Sequence, residues 1–182
     1  MARVRSARPE LVVHLDLYGR GDSEAALRRR AEGLGLDGVV TFHGRIPLEL
    51  VGDAIARSDV GISPTRRNTQ TELSLPTKIL EYAILGKPVV TSDLATVVGH
   101  FGPKALTTYR AGDAVDLQAA LLRLVDAPRS AGRQAKLAAR RVQETAWEQE
   151  AARYLALVER LALDGRARGL SEETMRGPAS RT

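Results

Sequence analysis

Apolar and polar positions alternate along this chain in short blocks. "LVVHLDLYG" (residues 11–19) is an apolar run closed by glycine, which predicts a buried strand. "DSEAALRRRAEGLGL" follows, with Asp22 or Ser23 as N-cap, apolar residues at helical spacing, and Gly33 and Gly35 to stop it. "GVVTFHG" (38–44) is β-branched and short, so a strand; "PLELVGDAIARS" (47–58) is an amphipathic helix and "DVGISP" (59–64) a strand. "TRRNTQTELS" has no period and predicts a loop. Beyond it come the helix in "LPTKILEYAILG", the strand "PVVTS", a turn or short helix at "ATVVG", and a strand over 105–109. Asp113 caps the helix "AVDLQAALLRLVDA", which Pro128 closes.

Strands alternating with helices of this length predict an α/β fold, with βαβ units forming a parallel, right-handed, doubly wound sheet. From residue 130 to about 163 the pattern is helical only. It breaks near Thr145 and resumes with Trp147, Tyr154, Leu155 and Val158 on one stripe. The tail from 165 to 182 loses periodicity and is expected to be disordered.

Composition narrows this picture. The chain has 182 residues with 43% hydrophobic content, enough for one domain with a core. No apolar run approaches the roughly 18 residues a membrane span needs. "MARVRSARPE" lacks the apolar core of a secretory signal. With no cysteine there is no disulfide framework or thiolate metal site, which fits the cytoplasm. The net charge is +5, and only four of the 27 basic residues are lysine (Lys78, Lys87, Lys104, Lys136). The arginines are dispersed and not interleaved with aromatics, so a nucleic-acid platform is not expected.

Ligands of open parallel sheets bind beyond the carboxyl ends of the strands, and three loops qualify: 19–23, 43–47 and 68–78. "YGRGDSE" offers Gly19 and Gly21 but lacks the third glycine of the dinucleotide fingerprint. At the third loop, Pro76 suits the first turn of a helix and leaves the amides of Leu75, Thr77 and Lys78 open to an anion. Thr77, Lys78 and Glu81 share one face of that helix. A carboxylate there can accept from two neighbouring hydroxyls, as on a ribose; spacing alone equally fits an exposed Lys78–Glu81 pair worth a few tenths of a kcal/mol. His14, His43 and His100 read as isolated, and with no Asp-x-Asp pair a bound metal is not expected.

Five ordered segments carry a resemblance: "LDLYGRGDSEAALRRRAEGLGLDGVVTFHGRIP", "SDVGISPT", "SLPTKILEYAILGKPVVTSD", "YRAGDAVDLQAALLRLVDAP" and "TAWEQEAARYLALVERL". Together they resemble the C-terminal, donor-binding domain of a family 4 glycosyltransferase of GT-B fold, over residues 9 to about 163. The resemblance implies a nucleotide-sugar-binding Rossmann-like domain over 9–128, completed by C-terminal helices over 129–164. It implies a nucleoside diphosphate sugar as donor, transfer with retention, and no cofactor or bound metal. Glu81 matches the second glutamate of the family's E-x7-E motif, which binds the ribose. Ser74, Leu75, Thr77 and Lys78 match the loop and helix start facing the diphosphate and sugar. Gly44 and Arg45 match the turn near the base, and Gly19 and Gly21 the turn lining the cleft. The acceptor, whether glycan, lipid or small molecule, would be held by an N-terminal domain, and peripheral membrane contact is open to such an enzyme.

Two departures accompany the resemblance. Leu73 stands where the motif has its first glutamate, with Glu72 one residue away, although a branch resembling "SLPxKxxEY" also lacks it. Nothing before Pro9 matches the opening strand and Gly-Arg…Lys-Gly segment of the family's domain, so the chain reads as truncated, able at most to bind nucleotide. A non-catalytic remnant or nucleotide-binding module is the first alternative, a UDP-sugar epimerase the second, and a dinucleotide oxidoreductase the last.

Overall fold

The computed structural model describes residues 1–167. Two compact units divide the chain, Met1–Val142 and the part from Gln143 onward. Among the described residues the first unit holds every strand: β1 (Leu15–Tyr18), β2 (Val40–Gly44), β3 (Gly61–Ser63), β4 (Val89–Ser92) and β5 (Thr107–Tyr109). Helices alternate with them: α1 (Ala2–Ala7), α2 (Glu24–Gly33), α3 (Val51–Ala56), α4 (Thr69–Glu72), α5 (Thr77–Ile84), α6 (Ala95–Phe101), α7 (Ala114–Asp126) and α8 (Pro128–Glu144). Every strand pairing is parallel, as the βαβ alternation predicts.

The sheet is in two pieces, β1-β2 and β3-β4-β5. Written as β2-β1 and β3-β4-β5, they correspond to the two flanks of the doubly wound order 3-2-1-4-5-6. Among the described residues no strand joins the free edge of β1 to that of β3. The three-stranded piece carries the core. All of β4 is buried, and its neighbouring residues point to opposite faces. Val89 packs with Ile79, Ala83, Leu94, Val97 and Phe101 of the α5–α6 side, while Val90 packs with Tyr109, Ala120, Leu124 and Ala131 of the α7–α8 side. Fully burying side chains such as Phe101 and Ile79 stabilises by about 1.5–3 kcal/mol each. The small residues Ala131, Ala135 and Ala138 let α8 approach closely.

The other piece differs from the predicted buried strand. β1 alternates half-buried Leu15 and Leu17 with exposed Asp16 and Tyr18, so "HLDLY" is a period-2 strand with one wet face. The predicted loop over 65–74 contains α4, started by a capping box in which Asn68 Oδ1 accepts from Thr71 N (2.9 Å) and Thr71 Oγ1 accepts from Asn68 N (2.8 Å). Asp113 caps α7 as predicted, accepting from the amides of Val115 and Asp116.

In the second unit, α9 spans Trp147–Ala167. The break after Glu144 falls where the pattern breaks, and the apolar stripe is exposed, Trp147 by 69%. Helix α9 continues through 165–167; the expectation of a disordered tail otherwise lies outside the described residues. Among the described residues no helix is long and apolar enough to cross a membrane.

Candidate functional site

Helix α5 is amphipathic for a local reason: "TKILEYAI" places Ile79 and Ala83 on one stripe, both fully buried, and Thr77, Lys78 and Glu81 on the other, all exposed. Pro76 occupies the N-cap, one place before the first helical residue, and no side chain caps this end. Ile79 N bonds Pro76 O (3.0 Å). The amides of Thr77 and Lys78, in the first turn, have no intrahelical acceptor. Lys78 and Glu81 form no ion pair or side-chain hydrogen bond with each other or with any described residue. The ion pair that their spacing allows is not formed. Two unpaired opposite charges, one turn apart, stand beside a free helix N-terminus whose dipole favours an anion.

What fixes α5 is its underside. Leu75 packs on the core cluster together with Tyr82, and Tyr82 lies against the backbone of Gly61 in β3. Burial, and then the nearby Glu81 carboxylate, push the Tyr82 phenol above its ordinary value. Ser74 is exposed, but its hydroxyl donates to Gln70 O (2.8 Å) and its amide to Thr71 O (3.3 Å). Its donors therefore serve the α4 end, not an open anion site.

Leu73 is 81% exposed and offers only an apolar side chain at the position where a carboxylate would stand. Glu72, its neighbour, points into a network that sequence reasoning missed. One carboxylate oxygen pairs with Arg67, and the other accepts from Ala95 N (2.8 Å) at the start of α6. Arg67 also donates to the backbone oxygen (2.9 Å) and Oδ1 (2.8 Å) of Asp93, and Asp93 Oδ1 accepts from Ala111 N (2.9 Å). The loops after β3, β4 and β5 are thus tied together. No local period could reveal this, because the partners are 18 to 26 positions apart in the Asp93 contacts.

The turns after β1 and β2 form a separate cluster. Gly19 N donates to Gly44 O (2.7 Å), with φ of +117° and +70° at the two residues, a left-handed region that favours glycine. Gly21 has neither a positive φ nor a close neighbour, and Arg20 lies over Gly44. Arg45 is exposed. The structure joins Gly19 to Gly44 directly; Ser74–Lys78 belong to the other sheet's loops.

The expectation of isolated histidines fails on the wet face of this sheet. His43 Nε2 lies 2.5 Å from Asp16 Oδ1, His14 Nε2 lies 3.5 Å from the same oxygen and 2.9 Å from Thr41 Oγ1, and His43 stacks on Tyr18 at 4.4 Å. The period-2 placement of His14, Asp16 and Tyr18 was the signal. Among the described residues no group of three or more His, Cys, Asp or Glu has metal-holding geometry.

Chemically, α5 can seat an anion at its start and accept hydroxyl donors at Glu81, and the glycine turns can let a planar group approach backbone. Similar structures have this architecture. A sucrose-phosphate synthase from Thermosynechococcus elongatus is 24% identical with TM-score 0.70, covering 90% of this chain and 42% of its own. Anabaena Alr3699/HepE, solved in complex with UDP, is 17% identical with TM-score 0.68, covering 85% and 43%. The pneumococcal O-GlcNAc transferase GtfA, solved with UDP and GlcNAc, is 15% identical with TM-score 0.67, covering 88% and 31%. At these identities the likeness is one of fold, that of the GT-B glycosyltransferases, and this chain spans under half the length of each. No curated protein matches the sequence. The glycosyl transferases group 1 family matches residues 1–127, well over half of the chain and every strand and helix from α1 to α7. On that match the chain belongs to the glycosyl transferases group 1 family.

Proposed function

We propose that this chain is the donor-binding part of a retaining, family 4 glycosyltransferase that uses a nucleoside diphosphate sugar. The observation that carries the reading is the pair Lys78 and Glu81, exposed and unpartnered at the uncapped start of α5. Glu81 accepts the two ribose hydroxyls, and Lys78 with the Thr77 and Lys78 amides faces the diphosphate. The Leu75 amide and the backbone of Ser74 border the sugar, Gly44 and Arg45 the base, and Gly19 and Gly21 the cleft. As the glycosyl bond breaks, negative charge grows on the departing diphosphate. A fixed cation and helix N-terminus stabilise it without reorganising, so the assignment needs no cofactor and gives the metal's electrostatic role to the chain. That similar proteins were solved with UDP supports a nucleotide ligand. The acceptor, a glycan, lipid or small molecule, would be held by polypeptide outside this chain, and we place the enzyme in the cytoplasm with peripheral membrane contact open to it.

Calorimetric titration of the chain with UDP, GDP and NAD, repeated with Glu81→Gln, tests the assignment. The expected result is that UDP or GDP binds more tightly than NAD and that the substitution weakens it about tenfold, the loss of a charged hydrogen-bond acceptor. Equal binding of all three, or no effect of Glu81→Gln, refutes it. A second reading, a module that binds nucleotide without turnover, is favoured by Leu73 at the motif position and by the commitment of Glu72 elsewhere. Glycosyl transfer by this chain when supplied with donor and acceptor would exclude it.

A further inference from the structure

The segment Leu73–Pro76 hangs between two anchors. Downstream it enters α5, which is pinned by fully buried Ile79 and Ala83. Upstream it leaves Glu72, whose carboxylate and backbone are both held. The two carboxylate oxygens engage Arg67 and Ala95 N, and the backbone oxygen accepts from Thr96 Oγ1. Arg67 is in turn gripped by Asp93, and Asp93 by Ala111 N.

We propose that Glu72 is a positioning residue of the donor site, fixing the segment Leu73–Pro76 that leads into the diphosphate-facing start of α5, through Arg67, Asp93 and the start of α6, without touching the donor. The inference rests on the donor-binding reading of α5. Three features argue for position over contact. Both oxygens of Glu72 are already spent, on a guanidinium and on the first amide of a helix, where a carboxylate is favoured by the dipole. The side chain is the least exposed of the three, at 24% against 48% for Arg67 and 38% for Asp93. The network also joins the loops after β3, β4 and β5, adding to the bonds that Ser92 makes to Thr65 and Tyr109 at the strand ends, so its energy goes into their mutual placement. An isolated exposed pair would be worth little, but here each charge also holds a backbone group whose position is set by a strand end. A short segment clamped at both ends meets its ligand with its conformational freedom already lost, which is how positioning raises affinity.

The experiment compares wild type, Glu72→Ala, Glu72→Gln and Arg67→Ala, by backbone amide relaxation without ligand and by titration with UDP, GDP, uridine and guanosine. In wild type the amides from Leu73 to Lys78 should have order parameters near the rigid value of about 0.85; in Glu72→Ala and Arg67→Ala they should fall toward about 0.6 while β4 is unchanged. Affinity for the diphosphate that wild type binds should drop about tenfold or more in both, with uridine or guanosine affected less than twofold. Glu72→Gln, which keeps the Ala95 bond, should lie between. Unchanged order parameters overturn the proposal. So does a diphosphate affinity lost with Glu72→Ala but kept with Arg67→Ala, which would make Glu72 a direct ligand. Absence of diphosphate binding in wild type would instead sink the donor reading, a result the relaxation data cannot mimic.

Discussion

Gly61→Ala should loosen the helix that carries Lys78 and Glu81, although the glycine is on a strand and touches no proposed ligand. A methyl at Gly61 would lie 2.9 Å from Tyr82 Cβ and closer still to the ring atoms Cγ and Cδ2. Carbon atoms at ordinary contact are roughly 3.5–4.0 Å apart. The ring cannot simply rotate away, because the clash includes the Tyr82 Cβ, which is fixed to the α5 backbone. Helix α5 must therefore lift from β3 by roughly 1 Å. Overpacking of this kind costs about 1–3 kcal/mol, and for a chain of this size each kcal/mol moves the midpoint by about 2–4 °C. Calorimetric unfolding should show a Tm lower by about 2–12 °C. Nucleotide affinity, measured well below that Tm, should fall because Lys78 and Glu81 travel with the helix. Gly61→Ala/Tyr82→Ala should lose less than the two single changes summed, since the clash they share is removed once. A Gly61→Ala protein with wild-type Tm and additive double-mutant behaviour would refute the packing of Tyr82 on β3.

Phe101→Ala removes a side chain that is 1% exposed in the α5–α6 core, and should destabilise by about 3–5 kcal/mol in urea titration. Gly52 lies inside α3, exposed, with nothing near its absent Cβ and no positive φ; Gly52→Ala should stabilise by about 0.5–1 kcal/mol, read as a higher urea midpoint with unchanged slope. Tyr82 has a folded pKa raised above its ordinary 10.0, by burial first and Glu81 second. Its contribution is intact below pH 10 and is lost as pH rises through the raised folded value, because the unfolded chain ionises first. Tyr82→Phe should flatten the alkaline fall in stability, measured as Tm from pH 9 to 11; an unchanged fall would show that Tyr82 is not the group responsible.

What the sequence determined by itself is what local chemistry determines. From β1 onward, α4 apart, the order of strands and helices followed from period and punctuation, whereas α1 at Ala2–Ala7 was not predicted; the Asp113 cap followed from a short polar side chain before an apolar run, and the two faces of α5 from helical spacing within "TKILEYAI". Short patterns could also have yielded more: the alternation in "HLDLY" marks a wet strand face, and Asn68 three residues before Thr71 marks the start of α4. Tertiary structure alone decided which charges are free. Lys78 and Glu81, one turn apart on a helix, ignore each other, whereas Glu72 finds Arg67 and a helix start 23 residues on, and Asp16 collects His14 from just before its own strand and His43 from β2. The division of the sheet into two pieces is likewise invisible in the pattern, since each strand is legible alone and its neighbour is not. A periodicity reports which side of an element is dry, because solvation acts residue by residue. The identity of a partner across a sheet edge or between loops depends on how the chain returns on itself, and that is set only when the core closes.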